Sequence, residues 1–366
     1  MIFKIDKQAF VTGIKAVAGA IGEKNTISEL NFVKAEVINN ILYLTGFDLE
    51  MGIKTSVDVE SDTDGAFLFD KKIVDLLVKL DNGDIEVKVE DTEITIKQGK
   101  SRNKRSINTN VSGYPALPTI ESADVEFEIS QEELKEMIDT TVFSASAVMN
   151  KPILTGELFS IENGSFDLVA LDGYRLAIRN AEFNNDLSAK FVVPAKALRE
   201  LSKLITSETE TVKIAKTSKH AIFTFNGITI FTRLLDGEFH NYKTIMPDAF
   251  KSVAIVNTRE IINALERCML IISDKAKAPV RCNFANGNVN ISCETMLGKV
   301  KDDIEIDFSG DILEIGFNCK FLIEALKNCG SDKVKISLNA PTSPAIITAL
   351  DGNKFTYVVL PVRLKN

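Results

Sequence analysis

Histidine is scarce in this sequence, which has only two, His220 and His240, in 366 residues. A metal site or a catalytic triad built on histidine is therefore not expected. Cysteine is also sparse: the five cysteines all lie in the last third of the chain, are odd in number and include no Cys-x-x-Cys pair. We expect reduced, buried thiols rather than disulfides or zinc, and no cofactor.

Long apolar runs and nucleotide-binding fingerprints are missing as well. No apolar run approaches the roughly 18 residues of a membrane helix, and the start of the chain lacks the pattern of a signal peptide, so we expect a cytoplasmic protein. Gly99-Lys100-Ser101 has Thr95 where a phosphate-binding loop needs glycine. Carboxylates are abundant but scattered. Since an enzyme needs convergent titratable groups, we expect no catalytic activity.

One lysine-bearing segment occurs three times at equal spacing. The copies begin at Phe69, Val193 and Phe317, so consecutive starts are 124 residues apart (193 − 69 and 317 − 193). Each is predicted to form a helix, over 69–80, 193–204 and 317–328. Lysines about two turns apart share one helix face, and they recur in every copy: Lys72 and Lys79, Lys196 and Lys203, Lys320 and Lys327.

These six lysines have two interpretations. One is a basic surface built three times, which would meet a polyanion such as nucleic acid. The other is a solvated helix face that internal duplication has copied. The net charge of −8 argues against a nucleic-acid binder when taken alone, but an acidic exterior with a basic inner surface has the same sum.

Each third of the chain has the same order of elements. It opens with a strand and a helix of periodic apolar residues, preceded by a capping residue. The apolar positions are Phe10, Ile14 and Val17, Leu134, Ile138 and Val142, and Ile261, Leu265 and Met269, and the caps are Asp6, Ser130 and Asn257. Short alternating strands surround the lysine segment, for example over 41–44, 85–89, 166–170 and 334–338.

Hairpin dipeptides are predicted to join these strands: Asn82-Gly83, Asn163-Gly164, Asn226-Gly227, Asn286-Gly287 and Asp351-Gly352. Short links of this kind make antiparallel sheets, not the parallel sheet of a dinucleotide-binding fold. We therefore expect an α+β fold of three similar two-layer domains. The predicted domains cover residues 1–120, 126–247 and 250–366, with linkers near 119–125 and 248–252.

Two segments have the composition of a binding site. Residues 171–176 form a predicted turn with an aromatic residue and an arginine, and residues 357–364 keep the C-terminus apolar where chain ends are usually polar. The terminal segment is either one wall of a groove or an edge strand that completes the last sheet.

Four motifs follow in order along the chain: Leu44-Thr-Gly-Phe-Asp-Leu-Glu-Met51, Leu171-Asp-Gly-Tyr-Arg-Leu-Ala177, Leu234-Leu-Asp-Gly-Glu-Phe239 and Leu360-Pro-Val-Arg-Leu364. With the length and the repeat, they resemble the bacterial DNA polymerase III beta subunit family, the DNA sliding clamps. The resemblance implies three similar clamp domains, each with two helices packed on antiparallel sheets, that form half of a ring. It also implies a non-catalytic processivity factor of DNA replication.

The implied homodimeric ring encircles duplex DNA without sequence specificity and tethers proteins through a peptide-binding pocket. Its implied partners are duplex DNA, the catalytic subunit of the replicative polymerase, the clamp loader, other proteins with a clamp-binding motif and a second copy of the chain, with no membrane. DNA-binding positions carried over are Lys24, Lys72, Lys79, Lys151, Lys196, Lys203, Lys320 and Lys327. An enzyme of unknown class and a general protein-binding scaffold are the alternatives.

The implied peptide pocket lies between the second and third domains. Its matching positions are Leu154, Leu171, Gly173, Tyr174, Arg175, Leu176, His240, Thr244, Ile245, Phe321, Thr342, Pro344, Val358, Leu360, Pro361, Val362, Arg363 and Leu364. Three features depart from the family pattern: His240 replaces a common proline, Thr244 replaces a common arginine, and Lys365-Asn366 extend past the usual terminal leucine. The peptide preference of the rim is therefore open.

The implied dimer joint pairs an edge strand of the first domain with one of the third domain of the other copy. Its matching residues are Lys104, Arg105, Ile107, Ile271, Ile272, Asp302, Asp303 and Glu305. Ile107 is the only apolar residue of the stretch 102–107, and the facing run 302–307 is acidic. We expect a joint with more electrostatic and less hydrophobic character than is usual in the family, the alternative being one held by backbone pairing and the isoleucines.

Overall fold

The computed structural model describes residues 1–22, 25–118, 122–183, 186–247, 249–273, 278–285, 287–352 and 354–364. Six α-helices lie in these ranges: α1 (Lys7–Ala18), α2 (Ile73–Leu77), α3 (Gln131–Asp139), α4 (Ala195–Leu204), α5 (Thr258–Met269) and α6 (Cys319–Lys327). In the same ranges no helix is long and apolar enough to cross a membrane.

The first half of the chain contributes the strands β1 (Ile2–Asp6), β2 (Val33–Ile38), β3 (Ile41–Phe47), β4 (Met51–Asp58), β5 (Glu60–Ser61), β6 (Gly65–Phe69), β7 (Asp84–Glu90), β8 (Glu93–Gln98), β9 (Ser101–Ser106), β10 (Val125–Ser130), β11 (Gly156–Glu162), β12 (Ser165–Leu171) and β13 (Arg175–Glu182). The second half contributes β14 (Ala189–Pro194), β15 (Thr211–Lys216), β16 (His220–Phe225), β17 (Ile228–Arg233), β18 (Ser252–Asn257), β19 (Val280–Ala285), β20 (Asn288–Thr295), β21 (Gly298–Glu305), β22 (Asp307–Gly310), β23 (Leu313–Phe317), β24 (Lys333–Leu338), β25 (Ala345–Thr348) and β26 (Phe355–Val359).

The three opening helices form where the sequence predicts them, because each has its cap. The side chains of Asp6 and Asn257 accept hydrogen bonds from the third residue beyond them, at 2.8 and 3.1 Å, and the Ser130 hydroxyl accepts one from the Glu133 amide at 3.2 Å. Phe10, Leu134 and Leu265, one from each predicted apolar stripe, are fully buried. The predicted helices and their caps are therefore confirmed, except that Val142 lies beyond the end of α3, in the short 3₁₀ helix Val142–Ser144.

The three lysine segments are shorter as helices than the sequence predicts. Residues 69, 193–194 and 317 still belong to strands, so each segment is the end of a strand followed by a helix. The first departs most, since α2 has only five residues. Lys72 is its N-cap and Lys79 lies beyond its end, in a turn closed by a bond from the Lys79 amide to the Leu76 carbonyl at 3.0 Å.

All strand pairs in the described ranges are antiparallel, as predicted. Asn163-Gly164 and Asn226-Gly227 have positive φ and form two-residue hairpins. The prediction of a hairpin at Asn82-Gly83 is wrong, because this dipeptide joins α2 to β7 and not two strands. There the Gly83 carbonyl accepts a hydrogen bond from the Lys7 amide. Residues 351–352 lie in a longer connection between β25 and β26, and Asn286 lies outside the described residues.

Gly99-Lys100 forms the hairpin between β8 and β9, in which Gln98 pairs with Ser101. Gly99 has a φ of +55°, the left-handed conformation that such a turn needs. The segment is thus a strand connection, in agreement with the rejection of a nucleotide site there.

The described chain divides into two compact units. The first, residues 1–134 and 200–234, contains a five-stranded sheet (β5-β1-β7-β8-β9) and an eight-stranded sheet (β10-β15-β16-β17-β4-β3-β2-β6). The second, residues 135–199 and 235–366, contains a nine-stranded sheet (β14-β11-β12-β13-β26-β25-β24-β18-β22) and a four-stranded sheet (β21-β20-β19-β23). Strands of successive thirds pair directly within the eight- and nine-stranded sheets, so these units cross the domain boundaries predicted from the sequence.

The five cysteines are all buried and unbonded to one another. Burial raises the pKa of the Cys268 thiol to about 11 and that of Cys319 to about 12. These thiols are therefore protonated and unreactive at neutral pH. In the described residues no group of three or more His, Cys, Asp or Glu side chains could hold a metal ion.

Candidate functional site

The six repeated lysines are all exposed. Lys196 and Lys203 lie on α4, and Lys320 and Lys327 lie on α6, while Lys72 and Lys79 flank α2. Of the two loop lysines, Lys151 is exposed just before the short 3₁₀ helix Pro152–Thr155, and Lys24 lies outside the described residues. Their exposure is what either interpretation of the repeat requires.

Lys203, Lys327 and Lys320 have acidic neighbours. Lys203 lies 2.7 Å from Glu200, Lys327 of α6 lies 2.6 Å from Glu266 of α5, and Lys320 lies 3.9 Å from Glu324. Exposed pairs of this kind contribute at most about 1 kcal/mol each. A phosphate group can therefore compete for the same ammonium groups at low energetic cost.

The predicted pocket residues Leu154, Leu171, Leu176 and Val358 meet in one buried apolar cluster of the second unit. Leu171 and Val358 are both cross-strand partners of Leu176, in β12 and β26 on either side of β13. Ile245 packs against the cluster from outside and remains half-exposed. Sequence reasoning missed the further members Leu158, Val169, Val192 and Ile346, whose only signal was the alternation of their strands, and Tyr242, which opens a short 3₁₀ helix (Tyr242–Ile245).

Residues 172–174 form a tight turn beside this cluster. The Asp172 carboxylate accepts hydrogen bonds from the backbone amides of Tyr174 and Arg175 at 2.9 and 3.1 Å. Gly173 has a φ of +91°, which other residues rarely adopt. The turn leaves the Tyr174 side chain 64% exposed, with its ring 6.3 Å from that of Phe321.

Arg175 is held from several directions. Its guanidinium donates to Asp172 Oδ2 at 3.0 Å, to the Phe143 carbonyl at 2.6 Å and to the Glu324 carboxylate. It also lies over the ring of Phe321 at 4.5 Å. Sequence reasoning found Arg175 and Phe321 but missed Phe143 and Glu324. Arg175 therefore links the turn to α6, the helix that carries Lys320 and Lys327.

The C-terminal segment follows a strand that is not an edge strand, since β26 lies between β13 and β25. Beyond it, the Leu360 amide donates to the Tyr174 carbonyl at 2.9 Å and the Val362 amide to the Gly316 carbonyl at 2.8 Å. A side chain at position 316 would approach Leu364 Cδ2 to 2.5 Å, so glycine lets the segment cross β23 closely. Leu360, Val362 and Leu364 are not members of the buried cluster that contains Leu176, although the Leu360 amide bonds to the turn beside it.

The other predicted pocket residues lie at the surface. His240, Thr244, Thr342 and Arg363 are exposed, and Pro344 and Pro361 are half-buried. Tyr242, between the first two, is buried and its hydroxyl donates to Asp167 Oδ2 at 2.7 Å. Burial, with this hydrogen bond, raises the pKa of Tyr242, which keeps the phenol neutral.

The predicted joint residues lie on or near two sheet edges. β9 is the last strand of the five-stranded sheet, and β21 is the last strand of the four-stranded sheet. Edge strands offer backbone groups to another chain. Arg105 and Glu305 are exposed, Ile107 follows β9 half-buried, and Ile271 and Ile272 follow α5 half-buried against the core.

Some of the charges expected to bridge the joint already have partners in the same chain. Lys104 pairs with Glu93 at 2.6 Å, and Arg267 of α5 donates two hydrogen bonds to Asp302, at 2.9 and 3.0 Å. Asp303 accepts a hydrogen bond from the Asn290 amide group at 2.8 Å. Among the predicted joint charges, Arg105 and Glu305 have the fewest partners within the described residues. Fewer charges than the sequence suggests are therefore available to pair with a second copy.

Comparison with protein families gives three consecutive matches. The N-terminal, central and C-terminal domain models of the DNA polymerase III beta subunit match residues 1–118, 128–241 and 243–363. The beta sliding clamp of Halalkalibacterium halodurans is 30% identical over 99% of this chain and 100% of the relative. Two solved structures match 100% of both chains: the Bacillus subtilis sliding clamp (28% identity, TM-score 0.93) and a Pseudomonas aeruginosa sliding clamp bound to griselimycin (27%, 0.91).

Proposed function

We propose that two copies of this chain, which belongs to the bacterial DNA polymerase III beta subunit family, close head to tail into a ring that slides on duplex DNA. The single observation that carries the proposal is the match of three consecutive family domain models along the chain, whose relatives are named sliding clamps; lysine is exposed at all six repeated positions, as a ring on DNA requires. The ring acts in the cytoplasm, has no catalytic activity and serves as a processivity factor in DNA replication.

The lysines attract DNA through phosphate groups alone. Such contacts do not depend on sequence and weaken steeply with salt, so they let a protein move along the duplex. Enclosure by a ring, not affinity, then keeps the protein on DNA. This reconciles a net charge of −8 with a DNA-binding role, because the attraction need only be weak.

The apolar cluster around Leu176, with Tyr174 and Arg175 beside it, is the proposed peptide-binding pocket. A short peptide from the polymerase, the clamp loader or another partner would insert apolar side chains between the exposed Tyr174 ring, the half-exposed Ile245 and the terminal segment 360–364. His240 and Thr244 lie close in sequence to Ile245 and form the rim. Griselimycin, which binds the Pseudomonas aeruginosa relative, is a suitable competitor to test against such a peptide.

Retention on DNA of different topology tests the ring. The protein is loaded by a clamp loader onto nicked circular DNA, the free protein is removed, and half the sample is linearised. A ring remains on the circle and is lost from the ends of the linear form. An ordinary DNA-binding scaffold stays on both.

A further inference from the structure

Three large apolar side chains project from one end of the four-stranded sheet. Leu270 at the end of α5 is 81% exposed, Leu297 is 73% exposed, and Met296 is fully exposed. Met296 and Leu297 form the turn between β20 and β21, in which Thr295 pairs with Gly298. We refer to Leu270, Met296 and Leu297 as the apolar tip.

Hydrogen bonds hold the turn that carries Met296 and Leu297 against the end of α5. The Thr295 hydroxyl donates to the Ile271 carbonyl at 2.9 Å, which ties the hairpin turn to the end of α5. The same hydroxyl oxygen accepts a hydrogen bond from the Leu297 amide at 3.1 Å. Ile271 and Ile272 lie half-buried beside it. Holding three apolar side chains in water at one spot is unfavourable unless another surface covers them.

The position of the apolar tip indicates what covers it. Leu297 directly precedes β21, so the apolar tip is continuous with the edge strand of the proposed joint. The exposed charges at that edge are Lys299 and Lys301 next to the apolar tip and Asp303 and Glu305 at the far end, whereas the edge β9 carries Arg102, Lys104 and Arg105. The acidic far end of β21 is therefore complementary to β9 of another copy, and this charge complementarity does not extend to the end that carries the apolar tip. Lys104 pairs with Glu93, and Asp302 pairs with Arg267, within the same chain. Because these two charges already have partners, an apolar contact has a larger part to play in holding the joint.

We infer that a second copy of this chain buries the apolar tip beside the paired edges β21 and β9, and that the apolar tip supplies much of the apolar contact of the joint. This inference rests on the proposed ring, and it adds Leu270, Met296 and Leu297 to the interface residues expected from the sequence. The joint then combines backbone pairing, a few charge pairs and an apolar contact at one end.

The test is the double variant Met296→Ser/Leu297→Ser in the full chain. The matched control is Ile312→Ser: Ile312 is 65% exposed and precedes β23, the opposite edge of the same sheet. Sedimentation with fluorescence detection over a dilution series gives the dimer dissociation constant, and thermal melting checks the fold. Loss of burial of one large apolar side chain corresponds to about tenfold or more in affinity. We expect the constant of the double variant to rise at least about 30-fold, and that of the control to change less than about threefold.

The possible outcomes separate the inference from the ring. A dimer whose constant is the same in wild type and double variant overturns the inference and leaves the ring intact. An unchanged constant together with lost binding of the clamp loader or polymerase assigns the apolar tip to that partner, which also overturns the inference. A wild-type chain that is monomeric at every concentration contradicts the proposed ring itself.

Discussion

Glu157 lies in β11 with its side chain fully buried, and its protonation should be visible in the stability of the protein. The Thr141 hydroxyl oxygen is 2.7 Å from the Met137 carbonyl and 2.5 Å from Glu157 Oε2. The hydroxyl has one proton to donate, and the carbonyl can only accept. Both contacts are satisfied when Glu157 is protonated and donates to Thr141. Burial raises the pKa of Glu157 to about 8, opposed by the Thr141 contact and Arg199 and reinforced by Asp139.

The sign and size of the effect follow from this pKa. Between pH 4.5 and about 8, the folded protein keeps a proton that the unfolded chain releases. The free energy of unfolding therefore falls as pH rises through this interval and is flat above it. At 1.36 kcal/mol per pKa unit, the interval from 4.5 to about 8 corresponds to an upper limit of about 5 kcal/mol.

Glu157→Gln removes the titrating group and keeps its shape. Glu157 Oε1 has no hydrogen-bond partner in the described structure. A glutamine amide in its place also leaves a buried polar group unpaired, which lowers the free energy of unfolding by about 1–3 kcal/mol at every pH. The pH dependence, not the absolute stability, is therefore the readout. The free energy of unfolding of the variant minus that of wild type, measured in urea, should rise by up to about 4 kcal/mol from about pH 5 to pH 8.

Glu162→Gln is the matched control on the same strand. A hydrogen bond from Lys190 lowers the pKa of Glu162, so its contribution is present above the unfolded pKa and is lost only as pH falls. For Glu162→Gln, the difference in unfolding free energy from wild type should not rise between pH 5 and pH 8. Parallel stability profiles of wild type and Glu157→Gln over this range would refute the argument, because they would mean that Glu157 is ionised in the folded protein.

The remaining predictions concern the proposed sites. Changing the six repeated lysines to glutamate should impair loading onto circular DNA and processive synthesis by reversing the phosphate attraction; normal loading and synthesis with the folded variant would mean that they do not face DNA. Glu324→Gln should weaken peptide binding several-fold in calorimetry, because Arg175 loses a charge-assisted hydrogen bond of about 1.5–3 kcal/mol, whereas the exposed Glu266→Gln control should have no effect. Deleting residues 360–366 should abolish peptide binding, and unchanged affinity would put the pocket elsewhere. Raising the salt concentration should weaken the dimer by screening charge pairs at the joint, and Arg105→Gln should reduce this salt dependence. A wild-type dimer dissociation constant that does not change with salt would mean that backbone pairing and apolar contacts hold the dimer.

Features with a local cause were predictable from the sequence. Asp6, Ser130 and Asn257 cap helices because each is followed by a periodic apolar stripe, and both caps and stripes depend on residues within two turns. Asn163-Gly164 makes a hairpin because both residues accept positive φ. The same dipeptide at 82–83 does not form a hairpin, because it follows a helix and not a strand. Local pattern could not distinguish these contexts.

Features with a distant cause were not predictable. The partners of Arg175 lie 32 residues before it, at Phe143, and 149 residues after it, at Glu324. Neither has a local signal that would connect it to the turn. The joining of successive thirds through continuous sheets has the same origin, because it depends on which strand ends remain free after each third has folded. The repeat indicated three similar parts, but not that their sheets would merge.

The most direct measurement of the central claim is the retention of loaded protein on nicked circular DNA before and after a single cut elsewhere in the circle. A sliding ring predicts stable retention on the circle, loss within minutes of linearisation, and renewed retention when the ends are blocked by bound protein. Equal retention on circular and linear DNA would contradict the account, because it would show that affinity rather than enclosure holds the protein on the duplex.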